Sequence, residues 1–440
     1  MNAQLLDLAK TAVKTAKRAG ATDCSVVISS ERGVEIGYRN RQPETIKEAS
    51  TLSLLVRLYV NGRYSAQATS DLRPRALERF IGDAVAMTKL LAEDPFRSLP
   101  DPSTYAGRAQ VDLGLVDPDY PTLTAAQRHA AARAAEEACL ARGGARVISV
   151  TASVRDYRSA QVMLASNGFE GFEESTTFVA SAQMTAQDEG DRRPMGSSFA
   201  AAVRRAALPT PEAVGREAAD RTLALLGGRK IKTETLPIIV ENRSVGRLLA
   251  NLLQPMTGRL VQQKQSFLTD KLGQKVASER LTLIDDPLLP GGLGSRLFDA
   301  DGIAAKRRTM IEGGVLKEFF VDWYYSRKLG RPPTTGSPSN LVVPPGTRSV
   351  AEIMRDLRRG ILITDFIGGN ANSTTGDASV GIVGQLFSDG SIVHPVAEMN
   401  IAGNTLDFWS RLAEVANDPW PYGNVRSPSL VFTDVVVSGL

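Results

Sequence analysis

The chain has 440 residues, more than one hydrophobic core usually fills, so two domains are expected. Its 42% hydrophobic and 23% charged residues are typical of a soluble globular protein, and the basic residues behind its net charge of +4 are dispersed, which disfavours nucleic-acid binding. Apolar runs fall short of the roughly 20 residues that span a bilayer, and the N-terminus lacks a signal-peptide pattern. Cys24 and Cys139 are the only cysteines, which is typical of a reducing compartment. We therefore expect a cytoplasmic protein.

The first half of the chain alternates helical and strand-like patterns. Apolar residues recur at helical spacing between Leu5 and Ala16, and Gly20 follows as a stop signal. Asn61-Gly62 is a strong signal for a tight hairpin, because both central positions of a type I′ turn need a positive φ. Further helices are predicted at about 74–92, 124–142 and 211–226, and strands at 24–29, 33–38, 51–59, 63–69, 147–156, 159–165 and 176–186. This order is typical of an α+β layout.

Strands dominate the second half. It opens with a strand at 236–240 and a helix at 244–253. Turn signals at Asp301-Gly302, Gly313-Gly314 and Asp389-Gly390 separate the later apolar runs. Those runs predict strands at 280–284, 314–321, 379–387, 392–399 and 429–437. We expect these strands to form a closed or strongly curled antiparallel sheet.

Gly227-Gly228 lies between the two halves and marks the predicted domain boundary. The sequence therefore predicts an α+β protein of two domains. Residues 1–228 form an N-terminal domain of helices and antiparallel sheet, and residues 229–440 form a β-rich domain with a curled or barrel-like sheet.

Seven short motifs follow one another between residues 166 and 404: SNGFEG at 166–171, SFLTDKLG at 266–273, FDADG at 298–302, IEGGVLK at 311–317, TGD at 375–377, PVAE at 395–398 and IAGN at 401–404. With these motifs the sequence resembles the TldD/PmbA family, formerly called modulators of DNA gyrase. The resemblance implies an N-terminal α+β domain, a β-rich C-terminal domain and a place in an intracellular dimeric peptidase system.

That family has two kinds of subunit. In the catalytic TldD kind, an HExxxH helix and a distant cysteine hold one metal ion; the PmbA kind, also called TldE, lacks them and pairs with it. The corresponding helix of this chain reads GRLLANLLQP at 246–255, so Ala250, Asn251 and Pro255 stand where the two histidines and the glutamate belong. Alanine has no donor atom, asparagine is a poor zinc ligand and no general base, and proline ends a helix.

The segment 418–424, where the resemblance places the cysteine, contains none. The resemblance therefore implies a PmbA-type subunit without catalytic residues or metal ligands. Zinc is expected only in a TldD-type partner. The two histidines, His129 and His394, are interpreted as structural because neither has partner ligands nearby, and both cysteines as buried small apolar residues.

The glycine-rich loop GGNANS at 368–373 supplies the candidate substrate groove. Glycines let a backbone approach a ligand closely, and the family places its active cleft near this loop. The candidate residues are Gly368, Gly369, Asn370 and Asn372. A tight loop that serves only the fold is the competing interpretation, and the sequence alone favours it.

Three functions remain open. The first is a non-catalytic partner of a TldD-type metalloprotease that helps enclose peptide or unfolded protein substrates, binds them by strand addition, and forms a homodimer or heterodimer. The second is an autonomous hydrolase that uses carboxylates from Asp285, Asp286 or Asp377 with an unrecognised metal. The third is a regulatory protein that acts on gyrase or nucleic acid.

Overall fold

The computed structural model describes residues 2–440. Its α-helices are α1 (Asn2–Arg18), α2 (Pro74–Thr88), α3 (Ala125–Gly143), α4 (Pro211–Leu223), α5 (Val245–Leu253), α6 (Gly258–Gln262), α7 (Trp323–Leu329), α8 (Val350–Leu357) and α9 (Thr405–Ser410). The strands of the first half are β1 (Asp23–Arg39), β2 (Gln42–Val60), β3 (Arg63–Thr69), β4 (Val147–Ala165), β5 (Glu170–Ala186) and β6 (Met195–Ala202).

The strands of the second half are shorter. They are β7 (Glu234–Val240), β8 (Leu283–Asp285), β9 (Arg308–Glu312), β10 (Val315–Leu316), β11 (Leu341–Val342), β12 (Arg359–Ala371), β13 (Asp377–Ser388), β14 (Ser391–Asn404), β15 (Leu412–Val415), β16 (Val425–Arg426) and β17 (Leu430–Ser438). Among residues 2–440, no helix is both long enough and apolar enough to cross a membrane.

The first half is one antiparallel sheet in the order β3-β2-β1-β4-β5-β6. Helices α1 and α2 bury their apolar stripes against β1, β2 and β4, and α3 and α4 do the same against β4, β5 and β6. Alternate side chains of each strand, such as Val26 and Ile28 in β1, are fully buried because they face these helices. The predicted layout of helices and antiparallel strands is confirmed.

The hairpins of this sheet are longer than the sequence predicted. The strands expected at 24–29 and 33–38 are one strand, β1, and those at 147–156 and 159–165 are one strand, β4. The polar residues in the middle of each strand interrupt the apolar alternation. Ladder pairing with neighbours on both sides nevertheless keeps the backbone extended, as at Glu31, which pairs with Thr51 and Ser159.

Asn61-Gly62 joins β2 to β3 with φ of 48° and 77°, so the predicted hairpin turn is confirmed. A second turn with positive φ at both positions, Asn40-Arg41, joins β1 to β2. The sequence did not predict this turn, because arginine is not a usual turn residue at positive φ.

The second half contains a closed five-stranded barrel in the order β14-β13-β12-β7-β17. Pairing of Ile401 in β14 with Val437 in β17 closes it, and β15 extends β17 outside the ring. The pair β12 and β7 is parallel, and the other neighbours are antiparallel. The predicted barrel-like sheet is thus confirmed. A smaller sheet, β10-β9-β8-β11-β16, packs beside the barrel.

In this half one strand prediction was wrong, and one long strand was missed. The apolar run at 314–321 forms strand only at Val315–Leu316, because Phe320 bonds to the backbone of Met256 and Gly258 instead of extending a ladder. Strand β12 was not predicted, since register shifts between Ile363 and Asp365 and between Ile367 and Asn370 break its alternation.

The halves are joined by polar and aromatic contacts. The Tyr324 hydroxyl donates to Asp94 at 2.7 Å, the Trp323 indole to Ser98 at 3.0 Å, and Phe169 packs on Phe298 with ring centroids 5.1 Å apart. The boundary at Gly228 stays a prediction.

Candidate functional site

Helix α5 lies against one end of the barrel. Leu249 and Leu252 are fully buried in the barrel core, whereas Ala250 lies on the exposed side of the helix. The helix ends at Leu253 because Pro255, which has no N–H, follows in a 3₁₀ turn. The apolar face of α5 therefore fixes the directions of the side chains at the positions where the resemblance places metal ligands.

The three positions lie in different environments. Ala250 is exposed, Asn251 is half-buried, and Pro255 is buried with its carbonyl accepting a 2.7 Å hydrogen bond from the Ser266 hydroxyl. None of them offers an imidazole or a carboxylate, so these residues do not fit a zinc ion. Across residues 2–440, no three His, Cys, Asp or Glu side chains form a group that could hold a metal.

The segment 418–424 is packed with aromatic side chains. The Arg243 guanidinium lies 3.8 Å from the Trp420 ring centroid, and the Trp420 and Tyr422 centroids are 5.0 Å apart. Tyr422 also accepts a backbone hydrogen bond from Ala201 in β6 at 3.3 Å. This segment thus joins the second half to the edge of the first sheet and provides no thiol.

The mouth of the barrel contains a cavity of 160 Å³ between α5, α9 and the ends of β13, β14 and β17. Its wall is largely apolar, and small residues such as Ala378 and Gly403 leave the space open. Its lining includes the apolar side chains of Leu248, Val380, Ile401, Phe408, Trp409, Val435 and Val436 and the polar side chains of Asn251, Asn404, Asp407 and Arg411.

The predicted groove residues lie beside this cavity. Gly368 and Gly369 have φ of 58° and 96° in a bulge of β12, and the Gly368 carbonyl accepts a 2.7 Å hydrogen bond from Arg247 in α5. Asn370 and Asn372 line a shallow depression, and the Asn372 side chain accepts a turn hydrogen bond from the Thr374 N–H at 2.8 Å. All four candidates are exposed, and their contact with substrate stays a prediction.

The carboxylates of the alternative hydrolase hypothesis have local partners. Buried Asp285 accepts from both the backbone N–H (2.6 Å) and the hydroxyl (2.7 Å) of Ser339, and burial raises its pKa. Asp286 lies 3.4 Å from Arg307, and Asp377 accepts from Thr375 at 2.8 Å. Each carboxylate thus interacts with groups that stabilise its own turn or strand end.

The histidines and cysteines also have structural surroundings. His129 Nδ1 lies 3.1 Å from the Tyr38 hydroxyl, and His394 Nδ1 lies 2.9 Å from the Pro395 carbonyl. Cys24 and Cys139 are buried, and burial raises the pKa of each thiol to about 11. Such thiols are not thiolates at neutral pH, so they are poor nucleophiles and poor metal ligands.

Sequence reasoning did not find the cavity itself. Asp407 and Arg411 follow a family motif, IAGN, but nothing in their spacing indicates that they line the same cavity at the barrel mouth as Asn251. That arrangement depends on closure of the barrel between β14 and β17, which brings distant parts of the chain together.

Comparison with known proteins adds the family. Three domain models of the PmbA/TldA metallopeptidases match this chain: domain 1 at residues 24–88, the central domain at 118–226 and the C-terminal domain at 233–439. Metalloprotease PmbA of Escherichia coli O157:H7 is 29% identical over 94% of this chain and 92% of its own length. The PmbA homologue of Haemophilus influenzae is 27% identical over 97% of this chain and 94% of its own.

Solved structures agree with these matches. A candidate modulator of DNA gyrase from Bacteroides thetaiotaomicron superposes with a TM-score of 0.95 at 37% identity, covering 99% of this chain and 98% of that one. TldE from Thermococcus kodakarensis shares the fold, with a TM-score of 0.87 at 20% identity over 98% of this chain and all of that one (100%). With its order of motifs, its two-part fold and family models that match most of its length, this chain belongs to the PmbA/TldD metallopeptidase family.

Proposed function

We propose that this chain is the non-catalytic, TldE-type subunit of a TldD-type metalloprotease and helps enclose peptide or unfolded protein substrates. The observation that carries the proposal is helix α5, which keeps its place against the barrel but presents Ala250, Asn251 and Pro255. A zinc protease needs three protein ligands and a general base, and these three residues supply neither. In this proposal, the partner subunit holds the zinc.

Peptide capture by strand addition is consistent with the first sheet. β2 pairs with β3 only from Leu54 to Val60, so within residues 2–440 no strand pairs with residues 42–53 on that side. Such an edge presents unpaired backbone groups to which an extended peptide can bond without regard to its sequence. An unfolded protein would satisfy this requirement, and a folded one would not. The proposed compartment is the cytoplasm, because free thiols are typical of reducing surroundings.

Metal content and the activity of the isolated chain test this assignment. The chain, purified alone and freed of any affinity tag, is expected to contain well under one zinc per molecule by elemental analysis and to leave an unfolded peptide uncut. About one zinc per chain, together with cleavage by the isolated chain that a chelator stops, would instead support the autonomous hydrolase. Binding to DNA that weakens steeply with salt would support the regulatory alternative.

A further inference from the structure

The cavity at the barrel mouth combines an apolar interior with polar groups at its rim. Its volume of 160 Å³ matches the space that holds a benzene-sized group, for which about 150 Å³ suffices. Barrel mouths are frequent ligand sites because the strands end there while the core below stays packed. Val436, which lines the opening, is 48% exposed, so the cavity is accessible from outside.

On the side formed by α5, the cavity presents a side-chain amide. Asn251 is half-buried on α5, and no hydrogen bond within residues 2–440 engages its side chain. Asparagine is unfavourable in a helix interior, and a half-buried amide without a partner has both a donor and an acceptor to offer. A peptide group, with one N–H and one carbonyl, is the complementary partner.

The part of the rim formed by α9 presents two charges. Asp407 and Arg411 both line the cavity, are exposed and form no ion pair with each other or with another side chain in the described part of the chain. Arg411 donates a hydrogen bond to the Asp434 carbonyl. This bond engages only part of the guanidinium, which has five N–H groups. A carboxylate and a guanidinium at one opening complement a molecule that carries an ammonium and a carboxylate.

We propose that the barrel mouth binds a short peptide with free ends, whose apolar or aromatic side chain fills the cavity. Asp407 receives the α-ammonium group, Arg411 the α-carboxylate, and Asn251 the peptide group between them. Leu440 is not the occupant, because its backbone is hydrogen-bonded to Ile231 and Thr233. The reaction class that supplies such ligands is proteolysis, so this site for cleavage products rests on the proposed function.

Calorimetric titration of the full chain with dipeptides tests the proposal. The dipeptide Phe-Ala with free ends is expected to bind about tenfold or more tightly than Ala-Ala, because only the former fills the apolar space. N-acetyl-Phe-Ala and Phe-Ala amide each lose one charge and are expected to bind several-fold more weakly than Phe-Ala.

Two kinds of variant separate the contributions. Ala378→Leu, which fills the cavity, and Ala402→Phe, which covers its exposed rim, are each expected to abolish the preference for Phe-Ala over Ala-Ala. Asp407→Asn is expected to abolish the difference between free and acetylated N-termini while keeping the preference for phenylalanine. Glu279→Gln removes one exposed carboxylate away from the cavity lining and is the matched control, expected to bind like the wild type.

The proposal is overturned if Phe-Ala binds no more tightly than Ala-Ala, or if both blocking variants remain folded by thermal unfolding and bind Phe-Ala like the wild type. Proteolysis by the mixture with a TldD-type subunit is measured in parallel. Proteolysis without dipeptide selectivity contradicts only the product site, whereas selectivity without proteolysis contradicts the partner-subunit function and leaves the binding site established.

Discussion

At the scale of single residues, Arg128 and Asp156 form the most enclosed ion pair of the first half. Their side chains are 6% and 3% exposed, and the guanidinium makes two hydrogen bonds to the carboxylate, at 2.6 and 2.8 Å. Removing one partner leaves the other charge buried and unpaired. We expect Arg128→Met to lower the free energy of unfolding by about 3–5 kcal/mol in urea denaturation.

The neighbouring pair of Arg155 and Glu35 provides the control. It spans 2.8 Å on the same sheet, but its side chains are 44% and 27% exposed, so solvent screens the attraction. Arg155→Met should therefore change the free energy of unfolding by no more than about 1 kcal/mol. Equal losses for the two variants would show that burial does not set the cost.

Asp299 makes stability depend on pH. Burial, and secondarily the negative charge of Asp301, raise its pKa from 3.8 to about 7. Between these values the folded protein keeps a proton that the unfolded chain releases, so this contribution to stability is complete below pH 4 and is lost as pH rises through 7. The total loss is up to about 4 kcal/mol.

Asp299→Asn removes that titration and keeps an oxygen for the hydrogen bonds from the N–H groups of Asp301 and Ile303. The free energy of unfolding, measured by urea denaturation from pH 4 to pH 8, should fall more steeply with pH in the wild type than in this variant. Parallel curves for the two proteins would rule out a raised pKa at this carboxyl.

One property of the candidate site, the lack of zinc ligands on α5, was predictable from the residue types alone. Ala250, Asn251 and Pro255 exclude zinc ligation by chemistry alone, whatever the fold. The proximity of Asn251 to Asp407 was not predictable, because 156 positions separate them and only barrel closure brings them to one cavity. Local patterns carry no information about such contacts.

At the scale of elements, replacing each of two glycines by alanine should change the free energy of unfolding in opposite directions. Gly62, at φ 77° in the β2–β3 turn, has a conformation that alanine adopts at a cost, whereas Gly82 lies in α2, where a Cβ meets nothing within 4 Å. Gly62→Ala should lower the free energy of unfolding by about 1–2 kcal/mol, and Gly82→Ala should raise it by up to about 1 kcal/mol. Urea denaturation measures both, and effects of the same sign would contradict this assignment.

Elements with strong local signals were predicted well. α3 begins at a capping box on Thr124, and α1 shows its apolar stripe and stop signal in the sequence. β12 and the continuity of β1 were missed because bulges and polar residues interrupt the alternation, while pairing with neighbouring strands sustains the backbone. Hydrogen bonds to distant strands determine the extent of β1 and β12, and the pattern of a single sequence does not reveal such bonds.

At the scale of the whole molecule, the proposed role requires association. A subunit without its own catalytic ligands acts only through a partner, so we expect an interface of at least about 1,600 Å². In the absence of a TldD-type subunit, the same surface can close a two-fold homodimer. Sedimentation at micromolar concentration should show a dimer of the chain alone, and a strict monomer that also fails to bind a TldD-type subunit would contradict the role.

The most direct test is the rate of cleavage of an unfolded peptide by a fixed amount of TldD-type subunit as this chain is added. We expect no cleavage by this chain alone and a rate that rises with added chain to a plateau near equimolar amounts, because the partner supplies the zinc and this chain completes the enclosure. A rate that is independent of this chain, or cleavage by this chain in the absence of the partner, would contradict the role of a non-catalytic subunit.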